Sequence, residues 1–357
     1  MIQVWSNFIQ KEEISHLHNS LDNKWIMEGP VLKEFEQKLS NILDIPYVIG
    51  TTSGSSALAL ALIGIGIMPG DEVIVPDLTF IATANAAYML GAKVVLAPTE
   101  RDRPIMNLEA VDSLITKKTK AIITVDLNGR ISWSKELKEK YGNRGIYIID
   151  DACQAFMSGN ADGKAGTLAD IGCFSFGITK TVSTVNGGMV ITRSKELYEK
   201  MKIIKTQGMP SVYEGDVYLY PGFNFKLPDV LASVGLGQLE RLDDKIRHMK
   251  EIDEMYRHEL RKVEGITFIP KTEYEFAWMP DIVCVDRDRV RECLKANNIL
   301  SRPLGAPLHT APYLEEFADY SNAIELQSKM LSLPGGPDQP KENVERVIEV
   351  LKSNRLC

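Results

Sequence analysis

One stretch, from Ile148 to Thr192, constrains the fold of this chain more than any other. Near its start an apolar strand, 146–149, ends in two adjacent carboxylates, Asp150 and Asp151. Two further apolar segments read as strands, and Lys180 lies in a short Thr/Ser/Gly segment between them. Because open α/β sheets bind ligands beyond the carboxyl ends of their strands, we expect the acid and the lysine to meet at one edge of a sheet.

An aspartate and a lysine in this placement fit the chemistry of pyridoxal 5'-phosphate (PLP). This cofactor needs a lysine to form a Schiff base and an aspartate to keep its pyridine nitrogen protonated. The protonated ring then accepts electrons from the substrate carbon. The sequence therefore indicates Lys180 as the Schiff-base lysine and Asp151 as the partner of the ring nitrogen.

The stretch resembles the signature of the DegT/StrS-type nucleotide-sugar aminotransferases, a PLP-dependent family with the aspartate-aminotransferase fold. That family carries an acidic-Asp-Ala-x-Gln/His-Ala run, then Phe-Ser-Phe, then Lys, then Gly-Gly. The matching residues are Asp150-Asp151-Ala152-Cys153-Gln154-Ala155, Phe174-Ser175-Phe176, Lys180 and Gly187-Gly188. The resemblance extends from about Trp25 to the C-terminus, and the joint motif is highly specific.

Strands alternate with helical segments along the chain, which favours a parallel sheet covered by helices on both faces. The resemblance implies a PLP-dependent transferase of fold type I. Such an α/β protein has a large domain with a mostly parallel seven-stranded sheet flanked by helices, and a smaller C-terminal α+β domain. We place the large domain, with its N-terminal helical segment, at residues 1–240 and the small domain at 241–357. A long helical stretch, 232–263, is expected to connect them, and 278–285 is expected as a strand.

Composition excludes several classes of function. The net charge of −7 argues against sequence-independent nucleic-acid binding, which needs a basic patch. No run of about 18 apolar residues is present, so neither a transmembrane helix nor a membrane partner is expected. The N-terminus lacks the features of a signal peptide, which predicts a cytoplasmic protein. Five cysteines without metal-ligand spacing predict reduced thiols and no metal site.

The segment Gly50–Ser56 runs from a short strand into a helix and consists of small residues. Small residues let a backbone approach a ligand closely, and the free N–H groups of a helix start favour a phosphate. The segment resembles the family's Ser-Gly-Thr-Ala-Ala-Leu phosphate cup, which implies phosphate contacts from Ser55 and Ser56. Without the resemblance, the same residues read as an ordinary N-capped helix.

The resemblance assigns four more residues to the cofactor. Phe80 would stack on the ring, Gln154 would bond the phenolic oxygen, and Ser175 would bond the phosphate. Asn224 lies in a segment similar to the family's Gly-Tyr-Asn-Tyr-Arg and would reach the phosphate held by a partner subunit, which implies a homodimer with shared active sites. The alternatives are a core position for Phe80 and a helix-entry turn at Asn224.

Five residues are candidates for substrate contact: Met27, Asn128, Arg130, Lys226 and His309. Relatives bring the region of Met27 close to the active site. The loop 126–130 lies where the family usually has His-Leu-Tyr-Gly, and it lacks both the His and the Tyr. Arg130 and Lys226 add cationic groups suited to a phosphate. His309 resembles the family's Pro-Leu-His element, and its alternative is a structural histidine on a loop.

Together these features predict a PLP-dependent aminotransferase with Lys180 and Asp151 as its catalytic pair. The family implies a ping-pong mechanism through aldimine and pyridoxamine forms of the cofactor. The amino group would pass from L-glutamate or L-glutamine to a keto group of a nucleotide-linked sugar, for a surface polysaccharide or a related glycan.

Two alternatives stay open at this point. The altered loop 126–130 allows a smaller phosphorylated ketone or a keto cyclitol as the acceptor. A different class is a non-catalytic PLP-binding regulator, which would need an appended DNA- or protein-binding module, and the sequence contains no basic or low-complexity tract of that kind. Some relatives carry His at the lysine position and are dehydratases, so Lys180 favours the transaminase.

Overall fold

The computed structural model describes residues 1–211, 217–314 and 318–353. The helices are α1 (Lys11–Asp22), α2 (Pro30–Leu43), α3 (Gly54–Gly64), α4 (Ala82–Tyr88), α5 (Leu108–Leu114), α6 (Ser134–Tyr141), α7 (Lys195–Ile204), α8 (Asp229–Glu240), α9 (Leu242–Leu260), α10 (Arg287–Ala296), α11 (Ser321–Lys329) and α12 (Lys341–Ser353). The strands are β1 (Tyr47–Thr51), β2 (Glu72–Pro76), β3 (Lys93–Ala97), β4 (Thr119–Val125), β5 (Tyr147–Asp151), β6 (Gly159–Asn160), β7 (Gly163–Lys164), β8 (Ile171–Ser175), β9 (Gly188–Thr192), β10 (Ile266–Thr267), β11 (Asp281–Cys284), β12 (Arg302–Pro303) and β13 (Met330–Ser332).

A seven-stranded sheet with the order β1-β9-β8-β5-β4-β2-β3 organises the larger part of the chain. The strands β8, β5, β4, β2 and β3 run parallel, whereas β9 is antiparallel to both of its neighbours. This confirms the predicted α/β fold with a mostly parallel seven-stranded sheet. Because parallel strands end at a common edge, β2, β4, β5 and β8 deliver the residues that follow them to one place.

Helices cover both faces of this sheet, which explains why its strands are apolar without alternation. Neighbouring residues of one strand point to opposite faces, so Cys173 packs with Leu58 of α3 and Phe174 packs with Phe35 of α2. Phe35 also meets Phe176 edge to face, with 5.4 Å between the ring centroids. The two apolar layers hold the sheet rigid beneath its carboxyl edge.

The C-terminal unit contains a four-stranded antiparallel sheet with the order β10-β11-β13-β12. Tyr256 of α9 and Leu331 of β13 lie in its core, and the Tyr256 hydroxyl donates to the Pro334 carbonyl at 3.0 Å. The predicted strand 278–285 is wrong at its start, because the strand spans only Asp281–Cys284, and Trp278 and Met279 before it line a cavity.

The predicted helical stretch 232–263 is formed by two helices, and it ends at Leu260. Helix α8 ends at Glu240 and α9 begins at Leu242, because Arg241 leaves helical geometry with φ −106° and ψ 13°. The guanidinium of Arg241 bonds Glu13 and Asp338, two carboxylates that are remote in sequence. We retain the domain boundary near this break as a proposal. The first residues of the chain pair instead with the C-terminal unit, through bridges from Ile2 and Trp5.

The described residues were expected to contain no membrane-spanning helix, no metal site and no disulfide. No helix within 1–211, 217–314 and 318–353 is long and apolar enough to cross a membrane. The same ranges contain no group of three or more His, Cys, Asp or Glu side chains that could hold a metal ion. None of the four described cysteines forms a disulfide, and Cys357 lies outside the described residues.

A buried carboxylate joins α8 to the start of α2 and gives a test of the packing. Asp229 accepts hydrogen bonds from the backbone N–H groups of Gly29 and Leu32 at 2.9 Å and of Val31 at 3.2 Å. Asp229→Ala leaves these amides without their acceptor, so we expect a loss of about 2–3 kcal/mol of unfolding free energy. Urea denaturation measures it, with the exposed Asp243→Ala as the control. Equal losses in the two variants would contradict the assignment.

Candidate active site

Asp151 ends strand β5 at the carboxyl edge of the large sheet, and two neighbours fix its carboxylate. The Thr83 hydroxyl of α4 donates to Oδ2 at 2.7 Å, and the Cys153 backbone N–H donates to Oδ1 at 3.2 Å. Asp151 is 6% exposed and Thr83 is fully buried. A carboxylate with both oxygens fixed in this way is ready to pair with one positively charged group.

Lys180 lies in the turn after β8, at the same edge of the sheet. Its Nζ is 4.1 Å from the centre of the Trp278 ring, and the Trp278 indole N–H donates to the Thr179 carbonyl at 2.7 Å. Burial lowers the pKa of Lys180 below its ordinary value, Arg302 acts in the same direction, and the nearby Asp151 opposes both. A lowered pKa increases the fraction of neutral amine, which is the nucleophilic form.

The start of α3 lies against the end of β8, as the phosphate-cup prediction requires. A Cβ added to Gly54 would lie 2.8 Å from Cys153 Sγ and 2.9 Å from Ser175 Cβ, so only glycine permits this contact. Ser55 is exposed in the first turn, where α-helices leave backbone N–H groups without intrahelical partners. The structure thus brings Ser55 and Ser175 to one side of the Asp151–Lys180 pair.

The hydroxyl of Ser56 has a different task from the predicted phosphate contact. It accepts from the Ser53 backbone N–H at 2.8 Å and donates to the Ser53 carbonyl at 2.9 Å. The Ser53 hydroxyl in turn accepts from the Ser56 N–H at 3.1 Å, which completes a capping box. The geometry therefore favours, for Ser56, the N-capped helix that the sequence offered as the alternative to a phosphate contact.

Phe80 and Gln154 face a cavity of about 380 Å³ between the large sheet and the C-terminal unit. Phe80 is 57% exposed, so it is not the core residue of the alternative reading. Gln154 accepts from the Asn128 backbone N–H through Oε1 at 3.0 Å. This bond fixes the amide and leaves its NH₂ group to donate to a ligand.

Asn128 and Arg130 are tied to the C-terminal unit through Asp281. The Asn128 amide donates to the Met279 carbonyl at 2.8 Å and to Asp281 Oδ2 at 2.6 Å, and its oxygen accepts from the Met279 N–H at 2.7 Å. Arg130 pairs with Asp281 Oδ1 at 2.6 Å and is 3% exposed. The geometry supports a structural role for Asn128 in place of the predicted substrate contact, because its amide is already saturated.

Gly129 makes this arrangement possible. Its φ is +81°, and a Cβ there would lie 2.0 Å from the Phe276 carbonyl oxygen. Only glycine combines the left-handed conformation with so close an approach. The loop 126–130 is therefore packed against the segment before β11, and Asn128 and Arg130 form bonds within the protein.

His309 is paired within the protein. Its Nδ1 lies 2.8 Å from Asp77 Oδ2, its backbone N–H donates to Asp77 Oδ1 at 2.8 Å, and its ring stacks on Tyr320 at 4.7 Å. Asp77 follows β2, so the pair fastens the C-terminal unit to the large sheet. The structural alternative from the sequence therefore fits His309 better than a substrate contact.

The other predicted residues lie on the outer side of the chain. Met27 is 62% exposed, and Asn224 is exposed while its backbone pairs with Thr206. Lys226 is half-buried beside Thr51, at the strand that leads into α3. The structure does not bring Asn224 to the Lys180 of the same chain. An exposed Asn224 is what a contact to a partner's site requires.

Two site residues escaped the sequence reading: Thr83 orients Asp151, and Trp278 lies under Lys180. Arg302, which resembles an arginine of the family, lines the cavity. The run that contains Phe80 also contains Thr83, so its hydroxyl was an available signal. Trp278 had none, because its role depends on a contact between residues 98 positions apart in the chain.

The comparisons with known proteins agree with this geometry. Residues 7–352 match the sequence profile of the DegT/DnrJ/EryC1/StrS aminotransferase family. The chain is 32% identical over 353 residues to GDP-perosamine synthase of Escherichia coli O157:H7, covering 98% of this chain and 97% of that protein. It is 30% identical over 369 residues to the spore coat polysaccharide biosynthesis protein SpsC of Bacillus subtilis, covering 96% and 94%. The PLP form of Spr1654 from Streptococcus pneumoniae superposes with a TM-score of 0.92 at 25% identity, covering 99% and 98%.

Two buried acids next to Asp151 predict a pH effect on stability. Burial raises the pKa of Asp150 to about 6, and burial together with the Asp150 charge raises the pKa of Asp126 well above its usual range. Because the pKa values of both acids are raised in the folded state, their protonation stabilises the folded protein. This contribution is present below about pH 4 and is lost as pH rises through about 6.

Asp126→Asn removes one of these acids. At each pH, the melting temperature of Asp126→Asn is compared with that of the unsubstituted protein. We expect this difference to increase in favour of the variant by a few degrees from pH 5 to pH 8. Thermal unfolding at several pH values measures the difference, with the exposed Asp243→Asn as the control. A melting-temperature difference that stays constant or falls as pH rises would contradict raised pKa values at Asp126 and Asp150.

Proposed function

This chain belongs to the DegT/DnrJ/EryC1/StrS aminotransferase family, and we propose that it transfers an amino group from L-glutamate or L-glutamine to a keto group of a nucleotide-linked sugar. The family makes the protein a PLP-dependent aminotransferase, so the donor and the acceptor are the proposed part. The observation that carries the proposal is the meeting of Lys180 and Asp151 at one sheet edge, beside a cavity of about 380 Å³.

The residues at this edge fit PLP by their chemistry. Asp151, fixed through both oxygens, would keep the proton on the pyridine nitrogen. The first turn of α3, with Ser55, would bind the phosphate together with Ser175. Phe80 would cover one face of the ring, and the free NH₂ of Gln154 would donate to the phenolic oxygen.

The chemistry of the site divides between cofactor and protein. When bound, PLP supplies a protonated ring that withdraws electrons from the carbon that loses its proton. Lys180 would bind the cofactor through Nζ and act as the base that takes the proton from the donor's α-carbon. Its lowered pKa, caused mainly by burial, increases the fraction of neutral amine. The Trp278 ring, whose centre lies 4.1 Å from Nζ, would restrict the movement of this amine and exclude water beside it.

The relatives support a sugar nucleotide as the acceptor. One is named for a GDP-linked product, perosamine, and another for spore coat polysaccharide biosynthesis. The cavity has the mixed lining such a molecule needs, with apolar walls and the cation Arg302 at its edge. We therefore propose a role in the synthesis of a polysaccharide or related glycan. The described cysteines, none of which forms a disulfide, support a cytoplasmic site for the reaction.

The smaller phosphorylated ketone and the keto cyclitol become weaker alternatives. Their main support was the cationic Arg130 in the altered loop. In the structure Arg130 is 3% exposed and pairs with Asp281 at 2.6 Å, so its charge is partly engaged within the protein. The loop therefore gives no reason to prefer a small phosphate over a nucleotide-linked sugar.

A homodimer with shared active sites completes the proposal. Large apolar side chains stay exposed on the segments around the site, which a second copy of the chain would cover. They include Met27, Phe80, Tyr218, Leu219 and Phe223. Asn224 lies among them, and its exposed position supports a contact to the phosphate in the partner's site.

The acceptor class can be tested by a half-reaction screen. Enzyme that has taken up the amino group from L-glutamate or L-glutamine is freed of donor and mixed with keto-sugar nucleotides or with small keto phosphates. We expect the aminated product, detected by mass spectrometry, only with a sugar nucleotide, and none from Lys180→Ala in either arm. Product from small keto phosphates alone would overturn the proposed acceptor and leave the aminotransferase assignment intact.

Shared active sites predict complementation between two inactive variants. A dimer of one Lys180→Ala subunit and one Asn224→Ala subunit contains one site in which both residues are native. Random mixing should therefore restore about a quarter of the native activity, because about half of the dimers are mixed and each has one intact site. Steady-state assays after subunit exchange measure this. Full activity in a strictly monomeric form would contradict the shared site.

A further inference from the structure

Besides the Trp278 bond to the Thr179 carbonyl, two further hydrogen bonds from outside the large sheet hold the turn that carries Lys180. The Asn7 side-chain amide donates to the Lys180 carbonyl at 2.8 Å, and the Ser183 backbone N–H donates to Gln238 Oε1 at 3.2 Å. Asn7 belongs to the N-terminal segment and Gln238 to α8. The turn is therefore restrained at Lys180 itself and three residues later.

A third residue, Lys245, connects these two restraints. Its Nζ donates to Asn7 Oδ1 at 3.1 Å and also to Gln238 Oε1. Lys245 lies in the first turn of α9 and is 2% exposed. Both of these acceptors are neutral amide oxygens, which compensate a buried ammonium group less well than a carboxylate does. Such a costly placement calls for an explanation beyond packing.

The ammonium group favours one orientation of both amides, and at Gln238 this orientation is also supported by Glu13, because Gln238 Nε2 donates to Glu13 Oε1 at 2.7 Å. An ammonium group has three donors and no acceptor, so Asn7 and Gln238 must each turn their oxygen toward it. The NH₂ group of Asn7 then points at the Lys180 carbonyl, as observed. The flipped amide would place NH₂ against the ammonium and oxygen against the Lys180 carbonyl oxygen, and both contacts are repulsive. An apolar side chain at position 245 would weaken this preference at Asn7, whereas Gln238 would keep its bond to Glu13.

The charges around Lys245 come from three elements. Glu13 of α1 and the carboxylate of Asp338 raise the pKa of Lys245, whereas burial, the largest effect, and Arg241 lower it, with a net value of about 8. Arg241 bonds Glu13 at 3.0 Å and Asp338 at 3.2 Å, so these acids are themselves paired. The ammonium form that orients the two amides is therefore the main form below about pH 8.

We propose that Lys245 is a positioning residue for the amino transfer: its ammonium group orients the amides of Asn7 and Gln238, and these two amides hold the turn that carries Lys180. The role acts through the backbone of the turn and needs no contact with substrate. It is independent of which sugar or ketone is the acceptor.

The first test compares Lys245→Met with Lys250→Met, an exposed lysine of the same helix. In protein without cofactor, we expect hydrogen–deuterium exchange of residues 178–184 to be about tenfold faster in Lys245→Met, because the turn opens more easily. In the loaded enzyme, we expect kcat to fall about tenfold or more, with KM for the donor changed less than about threefold. The pH titration of the absorbance of the Lys180-bound cofactor should shift, and Lys250→Met should leave all three unchanged.

A second variant separates positioning from stability. Asn7→Asp keeps an acceptor for Lys245 but has no donor for the Lys180 carbonyl. We expect it to retain the native melting temperature while residues 178–184 exchange faster and kcat falls. If Lys245→Met does not fold, Asn7→Asp decides the question. Native exchange of the turn and a native cofactor titration in either folded variant would overturn the proposal.

Discussion

The hydrogen bond from the Thr83 hydroxyl to the Asp151 carboxylate is the interaction on which the site depends. It joins α4, the helix after β2, to the end of β5. Both of these strands finish at one edge of a buried sheet. With this carboxylate fixed, the position of a protonated ring nitrogen is fixed too. The space beside this carboxylate is bordered by the start of α3, Ser175 and Lys180. All three lie at or after the end of a strand that finishes at the same edge.

Much of this could be predicted from the sequence because it depends on local pattern. Apolar runs that end in a carboxylate or lead to a lysine predicted the sheet and placed Asp151 and Lys180 at one edge of it. The break at Arg241 could not be predicted, since the residue leaves the helix to bond Glu13 and Asp338, which lie far away in the chain. Ser56 was assigned to phosphate because a capping hydroxyl and a ligand hydroxyl look alike in a serine-rich motif.

The loop 126–130 shows how a departure from a family pattern is best interpreted. Its missing His and Tyr suggested lost substrate contacts, and its arginine suggested a phosphate site. The structure gives a different physical account, in which Asn128 and Arg130 bond Asp281 and Gly129 packs against the Phe276 carbonyl. The substitutions belong together as one internal network that joins the two parts of the chain beside the cavity.

The central claim is that Lys180 is the residue that binds the cofactor at this edge. Reduction of the loaded enzyme with borohydride, followed by proteolysis and mass spectrometry, tests it most directly, since it converts the lysine–cofactor bond into a permanent one. The account predicts the reduced cofactor on the peptide that contains Lys180, and on no other lysine peptide. Recovery of the label on a different lysine, or of an unlabelled Lys180 peptide from fully loaded enzyme, would contradict it.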